Sequence, residues 1–146
     1  SWLKLLLVGL PRLGFEKIKN EIENSPYKSD IKMPGWVSDE DAAGLLNMAS
    51  VFVFPSLHEG FGLPALEAMA CGCPCVLSEG TSLPEVGGSA ALYAKPDDYE
   101  EVAFAVNRLL RDDDLRGEKV KAGLERVKLY SWEATAEKTW EAIVNL

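Results

Sequence analysis

Histidine and cysteine are scarce in this chain. His58 is the only histidine among 146 residues, and the three cysteines alternate in one segment, CGCPC, at residues 71–75. A structural zinc site needs two separated pairs of ligands, so one cluster and one histidine leave the ligand set incomplete. We therefore predict no metal site, and we interpret Cys71 and Cys75 as small buried thiols.

Long apolar runs and a secretory leader are also lacking. The apolar run at residues 5–7 is far too short to cross a bilayer. With no basic-then-apolar leader and an odd number of cysteines, the sequence predicts a reducing compartment. We expect the cytoplasm, or the cytoplasmic face of a membrane reached through another domain.

Positive charge is in deficit, with 15 lysines and arginines against 23 acidic residues and a formal net charge of -8. Nucleic acid and anionic membrane surfaces would repel such a chain, so neither is expected as a direct partner. The length and a hydrophobic fraction of 47% suit one compact globular domain, residues 1–146.

Short apolar runs alternate with helical patterns along the chain. Strands are predicted near residues 3–8, 31–33, 51–54, 75–77 and 91–93. Helices are predicted at residues 13–24, 38–49, 63–71, 83–86, 99–110, 115–129 and 132–144. This alternation predicts an α/β fold with a doubly wound, Rossmann-like parallel sheet.

Polar residues mark several helix starts. Ser38 with Asp41 resembles a capping box with aspartate in place of glutamate, and Ser131 is predicted to cap the last helix. The acidic runs at 97–101 and 112–114 each precede a helix, where negative charge interacts favourably with the positive end of the helix dipole. Helix-start chemistry therefore explains these acids better than a metal site does.

The segment PSLHEGFGLPALEAMACGCP, residues 55–74, carries the strongest functional signal. The apolar run 51–54 before it predicts a buried central strand. Gly60 and Gly62 permit unusual backbone angles and close approach of a ligand, and Pro64 suits the start of a helix. Gly72 and Pro74 then end that helix.

The start of this helix predicts an anion site. Unpaired amides and the helix dipole favour a phosphate in front of Gly62 and Leu63. Glu67 lies four residues after Leu63 on the same helix face, where its charge repels a phosphate but suits a ribose diol. Glu59, on the preceding loop, is predicted to bind hydroxyls of a sugar in the same way.

Other interpretations of these acids stay open. Glu125 with Glu133, and Glu133 with Glu141, repeat the same spacing, so the spacing alone predicts little. Acids are common near helix starts because of the dipole. His58, next to Glu59, could position or protonate a ligand group, but we favour a scaffolding role for it.

Two further loops follow strands at the same edge of the predicted sheet. Gly35, Trp36 and Val37 form one loop, where Trp36 is equally consistent with a nucleobase contact and with a core aromatic residue. Residues 80–82 open a short helix and are a second candidate contact to phosphate or sugar.

The segment EGFGLPALEAMACGCP resembles the signature of the family-four retaining glycosyltransferases, which have the GT-B fold. LKLLLVG, IKMPGWVSDEDAAGLLNMASVFVFPS, SLPEVGGSAALYAKPDD and SWEATAEKTWEAI resemble the same family's C-terminal, donor-binding domain in the same order. The resemblance implies that residues 1–146 form one half of a GT-B fold and bind a nucleotide sugar.

By this resemblance, the protein transfers a hexose with retention from a UDP-, GDP- or ADP-sugar to an acceptor hydroxyl, without a required metal or other cofactor. The acceptor is a glycan, a lipid or a small molecule. Glu59 is implied as the catalytic residue that holds the donor sugar. The implied donor-binding residues are Gly60, Phe61, Gly62, Leu63, Glu67, Trp36 and Val37.

The resemblance also implies that an acceptor-binding domain precedes Ser1, together with the first strand and loop of the donor domain. That loop supplies a basic pair for the diphosphate, for which Arg12 is a candidate substitute. We expect this chain alone to bind donor weakly and to be inactive. The last helix is expected to dock on the missing domain, with half of its apolar stripe in the core; the stripe consists of Trp132, Ala136, Trp140, Ile143 and Val144.

Two rival classes remain. A noncatalytic module that binds nucleotide sugars or polyphosphate would share the glycine-rich turn. Another GT-B enzyme, such as a nucleotide-sugar epimerase or a glycan phosphorylase, would need extra acid-base groups or a cofactor lysine, and neither is evident.

Overall fold

The computed structural model describes residues 3–11 and 14–145. The chain divides into two compact units, residues 1–42 and 43–146. Each unit contains its own sheet of parallel strands. The division falls within helix α2, Asp39–Met48.

The first unit is a β-α-β arrangement. In chain order it contains β1 (Leu5–Val8), α1 (Phe15–Asn24), a 3₁₀ turn (Lys28–Asp30) and β2 (Ile31–Gly35). The two strands pair in parallel, with a shift of register between Leu6 and Val8. Both predicted strands and the predicted helix are found, although Leu13 lies outside the described residues.

The second unit is a larger run of alternating strands and helices. In order it contains β3 (Phe52–Phe54), α3 (Leu63–Ala70), β4 (Cys75–Ser78), α4 (Leu83–Gly87), a 3₁₀ turn (Gly88–Ala90), β5 (Ala91–Ala94), α5 (Tyr99–Arg111), α6 (Asp113–Val127) and α7 (Trp132–Val144). Its sheet has the order β3-β4-β5, with both pairs parallel.

The centre of this sheet is β4 and not β3. All four residues of β4 are buried, whereas β3 is at one side of the three-strand order and its side chains are half-buried. The prediction that residues 51–54 form a buried central strand is therefore wrong within this sheet. A short apolar run indicates a strand, but its place in the sheet depends on which strands pair with it.

Helices cover both faces of the sheet. Cys75 and Leu77 pack in one core cluster with residues of α3, including Met69. The side chain between them, Val76, packs in a second cluster with Leu109 of α5. Because alternate side chains of a strand point to opposite faces, these clusters lie on the two sides of β4. The α/β, doubly wound prediction is confirmed here.

Side-chain caps begin several helices, and the cap at Ser131 is as predicted. Asp98 accepts from the amide of Glu101, and Ser131 accepts from the amide of Ala134. Asp112 caps α6 by accepting from the amide of Leu115. The helix therefore begins at Asp113, two residues before the predicted start, because the sequence prediction assigned no cap to Asp112.

Only half of the capping box at α2 matches the prediction. The amide of Asp41 donates to the Ser38 hydroxyl at 3.1 Å, as a cap requires. The Asp41 carboxylate accepts from that same hydroxyl at 2.8 Å. Aspartate is one methylene shorter than the glutamate of a full capping box, which favours the hydroxyl over the more distant backbone amide.

The last helix, α7, has no buried residue. The whole apolar stripe is exposed, so the prediction that half of it belongs to the core is wrong. Across the described ranges 3–11 and 14–145, no helix combines the length and the apolar character that a membrane span requires.

Two methionines allow a matched test of the core in the second unit. Met69 is 2% exposed and lies under Gly123 of α6, whereas Met48 is 77% exposed. We expect Met69→Ala to lower the free energy of unfolding by about 2–5 kcal/mol, because it leaves a cavity. Met48→Ala should change it by about 0.5 kcal/mol or less. Urea denaturation followed by circular dichroism measures both, and equal effects would contradict this core.

Candidate functional site

The loop between β3 and α3 is attached to the end of β4. Parallel strands bring their carboxyl ends to one edge of a sheet, and ligands often bind there. At this edge Ser78, which is 1% exposed, donates a hydrogen bond to the carbonyl of Ser56 at 2.6 Å. The Ser56 hydroxyl lies 3.1 Å from Glu59 Oε1 and 3.1 Å from the carbonyl of His58. The loop that carries Glu59 is thus fixed from inside the fold.

Gly62 is the residue on which the turn depends. Its φ is +105°, in the left-handed region that favours glycine, and it precedes α3 as the N-cap. A Cβ at this position would lie 2.6 Å from Cδ2 of Leu83, which is fully buried. Any side chain at position 62 would therefore meet both backbone strain and a steric clash.

Gly60 does not have the unusual backbone angle that the sequence predicted, and close approach of a ligand there stays a prediction. Its φ is outside the left-handed region, and a Cβ built there would have no neighbour within 4 Å among the described residues. Of the two glycines, only Gly62 is required by backbone angle and by space. A glycine pair in a loop does not reveal which member has the positive φ.

The N-terminus of α3 has two amide groups without partners. Pro64, in the first turn, has no N–H, and the amide of Ala65 donates to the carbonyl of Gly62 at 3.0 Å. The amides of Gly62 and Leu63 make no hydrogen bond within the described part of the chain, and no side chain caps this helix. These two donors, at the positive end of the helix dipole, are suited to an anion.

One face of α3 is exposed and carries the predicted ligand contacts. Leu63 and Glu67, one turn apart, are both exposed, whereas Ala65, Ala68 and Met69 on the other side are buried. The Glu67 carboxylate has no hydrogen bond or ion pair among the described residues. Glu59 is half-buried and makes the contact with Ser56 described above.

Gly72 ends α3 as predicted. Its φ is +69°, and its amide donates to the carbonyl of Met69 at 3.0 Å. The amide of Cys73 donates to the carbonyl of Ala68 at 2.9 Å, which completes a Schellman motif. The helix that begins at the site is therefore defined at both ends.

The side chain of Phe61 points to the end of α6 and contacts Tyr130 edge to face, with 5.7 Å between ring centroids. Arg126 lies over the same tyrosine ring at 5.6 Å and donates to the carbonyls of Val86, at 2.9 Å, and Glu85. Sequence reasoning missed Arg126 and Tyr130, because no local pattern links residues so far apart along the chain.

Ser82 connects α4 to the loop. Its hydroxyl lies 2.8 Å from the carbonyl of Phe61 and 3.3 Å from that of Glu59. Residues 80–82 were a candidate ligand contact in the sequence. In the structure the Ser82 hydroxyl instead contacts backbone carbonyls of the loop that carries Glu59. His58 is exposed, and its carbonyl lies within hydrogen-bonding distance of the Ser56 hydroxyl.

Trp36 and Val37 belong to the first unit and directly follow β2. Trp36 is 70% exposed, so its interpretation as a core aromatic residue is wrong, and Val37 is half-buried. A contact of these residues with a nucleobase stays a prediction. Arg12, the candidate basic residue, lies outside the described residues.

The cysteines correct one detail of the sequence prediction. Cys73 and Cys75 are buried, but Cys71 is only half-buried, and all three are free thiols. Burial raises the pKa of Cys73 to about 11 and also raises the pKa of Cys75. Metals bind thiolates, whereas these two groups are protonated thiols at neutral pH. Among residues 3–11 and 14–145, no cluster of three or more histidine, cysteine or acidic side chains could hold a metal ion.

The two loop glycines provide a matched test of the turn. We expect Gly62→Ala to lower the free energy of unfolding by about 1–3 kcal/mol, because the positive φ and the contact with Leu83 both oppose a side chain. Gly60→Ala should leave it nearly unchanged. Thermal and urea unfolding of both variants measures the difference, and a tolerated Gly62→Ala would show that this geometry is not required.

Three known proteins show what the chain is similar to. It is 43% identical over 121 residues to the O-antigen chain mannosyltransferase B of Escherichia coli, an alignment that covers 83% of this chain and 32% of that protein. It is 30% identical over 124 residues to the GDP-mannose-dependent alpha-(1-6)-phosphatidylinositol dimannoside mannosyltransferase of Mycobacterium tuberculosis, covering 84% of this chain and 32% of that protein. Its fold matches the solved sucrose-phosphate synthase of Thermosynechococcus elongatus with a TM-score of 0.87 and 30% identity, over 97% of this chain and 38% of that chain.

The chain thus spans about a third of the length of these relatives. The family model for glycosyl transferases group 1 matches residues 2–126, which is most of the chain. The resemblance seen in the EGFGLPALEAMACGCP segment is confirmed, and so is the Rossmann-like fold. The chain belongs to the glycosyl transferases group 1 family.

Proposed function

We propose that this chain is the donor-binding domain of a retaining mannosyltransferase, which moves mannose from GDP-mannose to an acceptor hydroxyl. The observation that carries the proposal is the pair of unpartnered amides at Gly62 and Leu63, with Glu67 one turn along the same exposed face. The names of the two mannosyltransferase relatives support the choice of sugar, and one of them supports the nucleotide.

The two amides would bind the diphosphate of the donor. When the bond between mannose and diphosphate breaks, negative charge develops on the leaving diphosphate. Fixed amide donors and the dipole of α3 stabilise this charge without rearrangement at the moment of reaction. The amide of Leu63 is available because α3 begins there and no side chain caps the helix.

The two glutamates would bind hydroxyl groups. A carboxylate near a phosphate is repelled by it, but it is a strong acceptor for a diol. Glu67 would hold the ribose, and Glu59 would hold the hydroxyls of mannose in a reactive pose. Neither glutamate needs to act as a nucleophile, and the chemistry assigned to these residues requires no metal ion or other cofactor.

Four further residues are proposed as contacts to the donor. Gly60 and Phe61 would contact the sugar through their backbone atoms, since the Phe61 ring packs against Tyr130. Trp36 and Val37 would contact the base, and the exposure of Trp36 leaves its ring accessible for this.

The rest of the enzyme would supply the acceptor site. We propose that a domain preceding this chain binds a glycan, lipid or small-molecule acceptor and that α7 docks against it. The exposed apolar stripe of α7 supports this, because a helix of one isolated domain rarely exposes two tryptophans, Trp132 and Trp140.

The three free thiols favour a reducing compartment such as the cytoplasm.

Calorimetric titration of this chain with GDP-mannose, UDP-glucose and ADP-glucose tests the proposal. We expect GDP-mannose to bind tightest and Glu67→Gln to weaken it about tenfold, since one charge-assisted hydrogen bond is lost. Glu137→Gln is the control, because Glu137 is also exposed on a helix but lies on α7. Equal affinities for the unaltered chain and Glu67→Gln would remove Glu67 from the site.

Transfer should require more than this chain. We expect the purified chain to bind GDP-mannose and to transfer no mannose, whereas a longer protein with the acceptor domain should transfer it with retention. Radiolabelled GDP-mannose measures transfer, and NMR of the product reports the anomeric configuration. Robust transfer by the chain alone would show that the acceptor site is already present. A longer protein that binds donor without transfer would favour a noncatalytic module.

A further inference from the structure

We propose that Ser56 is a positioning residue that sets the orientation of the Glu59 carboxylate, and that Ser78 fixes Ser56 in turn. This inference rests on the proposed function of Glu59 in holding the donor sugar. Glu59 lies on a loop, so its carboxylate needs a partner that holds it in one orientation before the sugar arrives.

Ser56 contacts the Glu59 carboxylate directly. The Ser56 hydroxyl lies 3.1 Å from Glu59 Oε1 and at the same distance from the carbonyl of His58. A hydroxyl has a single proton, and an ionised carboxylate is a stronger acceptor than a neutral carbonyl. The proton of Ser56 is therefore directed mainly to Glu59, which leaves the other carboxylate oxygen available for a hydroxyl of the sugar.

The position of Ser56 is fixed from the sheet. Ser78 is the last residue of β4 and the one buried polar side chain in the core of the described chain. Its hydroxyl donates to the carbonyl of Ser56 at 2.6 Å, across the edge where β3 and β4 end. Pro55 lies between β3 and Ser56 and restricts the backbone there. A rigid strand thus holds the backbone of the residue whose side chain holds Glu59.

The loop after Glu59 is held separately by Ser82. The Ser82 hydroxyl lies 2.8 Å from the carbonyl of Phe61 and 3.3 Å from that of Glu59, so its single proton is directed mainly to Phe61. The loop two residues after Glu59 is therefore fixed independently of Ser56. Loss of the Ser56 hydroxyl should release the Glu59 side chain while leaving the loop in place.

This arrangement has a consequence for affinity. A free glutamate side chain loses rotamer freedom when it binds a sugar, and that loss weakens binding. If Ser56 already orders the carboxylate, the part of the affinity that comes from the sugar is increased. The part that comes from the nucleotide and its diphosphate is unaffected, because it depends on other groups.

The test compares two ligands on the same variants of this chain. Calorimetry with GDP-mannose and with GDP gives the ratio of their affinities, which isolates the contribution of the sugar. We expect Ser56→Ala to reduce this ratio about fivefold while the affinity for GDP stays constant, a loss typical of one hydrogen bond. Ser56→Thr, which keeps a hydroxyl, should restore the ratio. Ser50→Ala is the control, since Ser50 is exposed and makes no hydrogen bond among the described residues.

A double-mutant cycle shows whether Ser56 acts through Glu59. In a Glu59→Ala background, Ser56→Ala should have little further effect on the ratio, because the carboxylate that Ser56 positions is absent. Additive effects would overturn the inference, and so would a parallel loss of affinity for both ligands, which indicates general damage to the loop. Circular dichroism confirms folding of each variant, and Ser78→Ala, expected to reduce the ratio less, gives a second measurement if Ser56→Ala does not fold.

The two hypotheses fail in different ways. If the unaltered chain binds neither ligand, the proposed function fails and this inference fails with it. If the unaltered chain prefers GDP-mannose to GDP and Ser56→Ala keeps that preference, the proposed function stands and only the role of Ser56 is overturned.

Discussion

The contact between Gly62 and Leu83 is the constraint on which the candidate site depends. Leu83, the first residue of α4, is fully buried and occupies the space that a side chain at position 62 would need. The positive φ and the close approach of Leu83 both favour glycine at this position, and α3 begins at the next residue. The position of the two free amides is therefore decided by packing between α3 and α4. Packing within the protein alone explains this position, so the candidate anion site is preorganised.

Hydrogen-bonding groups of the loop fall into two sets. Backbone carbonyls of the loop lie within hydrogen-bonding distance of serine hydroxyls from three places: the loop itself, the end of β4, and the start of α4. The amides of Gly62 and Leu63 and the Glu67 carboxylate have no such partners among the described residues. A folded protein normally pairs its polar groups unless water or a ligand serves them. This contrast distinguishes the supporting face of the loop from the face that is available for binding.

The local features of the site could be predicted from sequence, and the tertiary ones could not. Pro64, Gly72 and Ser131 act within a few residues of themselves, so each was assigned correctly. Gly60 and Gly62 look alike in sequence, and only the packing of Leu83 distinguishes them. The prediction that Cys71 is buried is wrong, because alternation in CGCPC does not show which thiols face the core. The contacts of Phe61 with Tyr130 and of Ser78 with Ser56 join distant segments, so no local pattern could reveal them, although Ser78 ends β4 and Ser56 closely follows β3 at the same edge of the sheet.

The helix-start amides and the acidic side chains have opposite electrostatic effects on an anionic ligand. With a formal charge of -8 and glutamates at positions 59 and 67, the chain has a field that opposes an anionic ligand. Arg126 lies over the Tyr130 ring and donates hydrogen bonds to carbonyls of α4, which engages its N–H groups in holding the fold while its positive charge is kept. Under the proposed function, the direct hydrogen-bond donors to a diphosphate are the amides at the start of α3, which act with the helix dipole over a short range. Short-range attraction combined with long-range repulsion discriminates against anions that cannot reach the helix start. Under the proposed function, the two carboxylates would then select for hydroxyl groups, so the acids that oppose a bare phosphate would favour a phosphate attached to sugars.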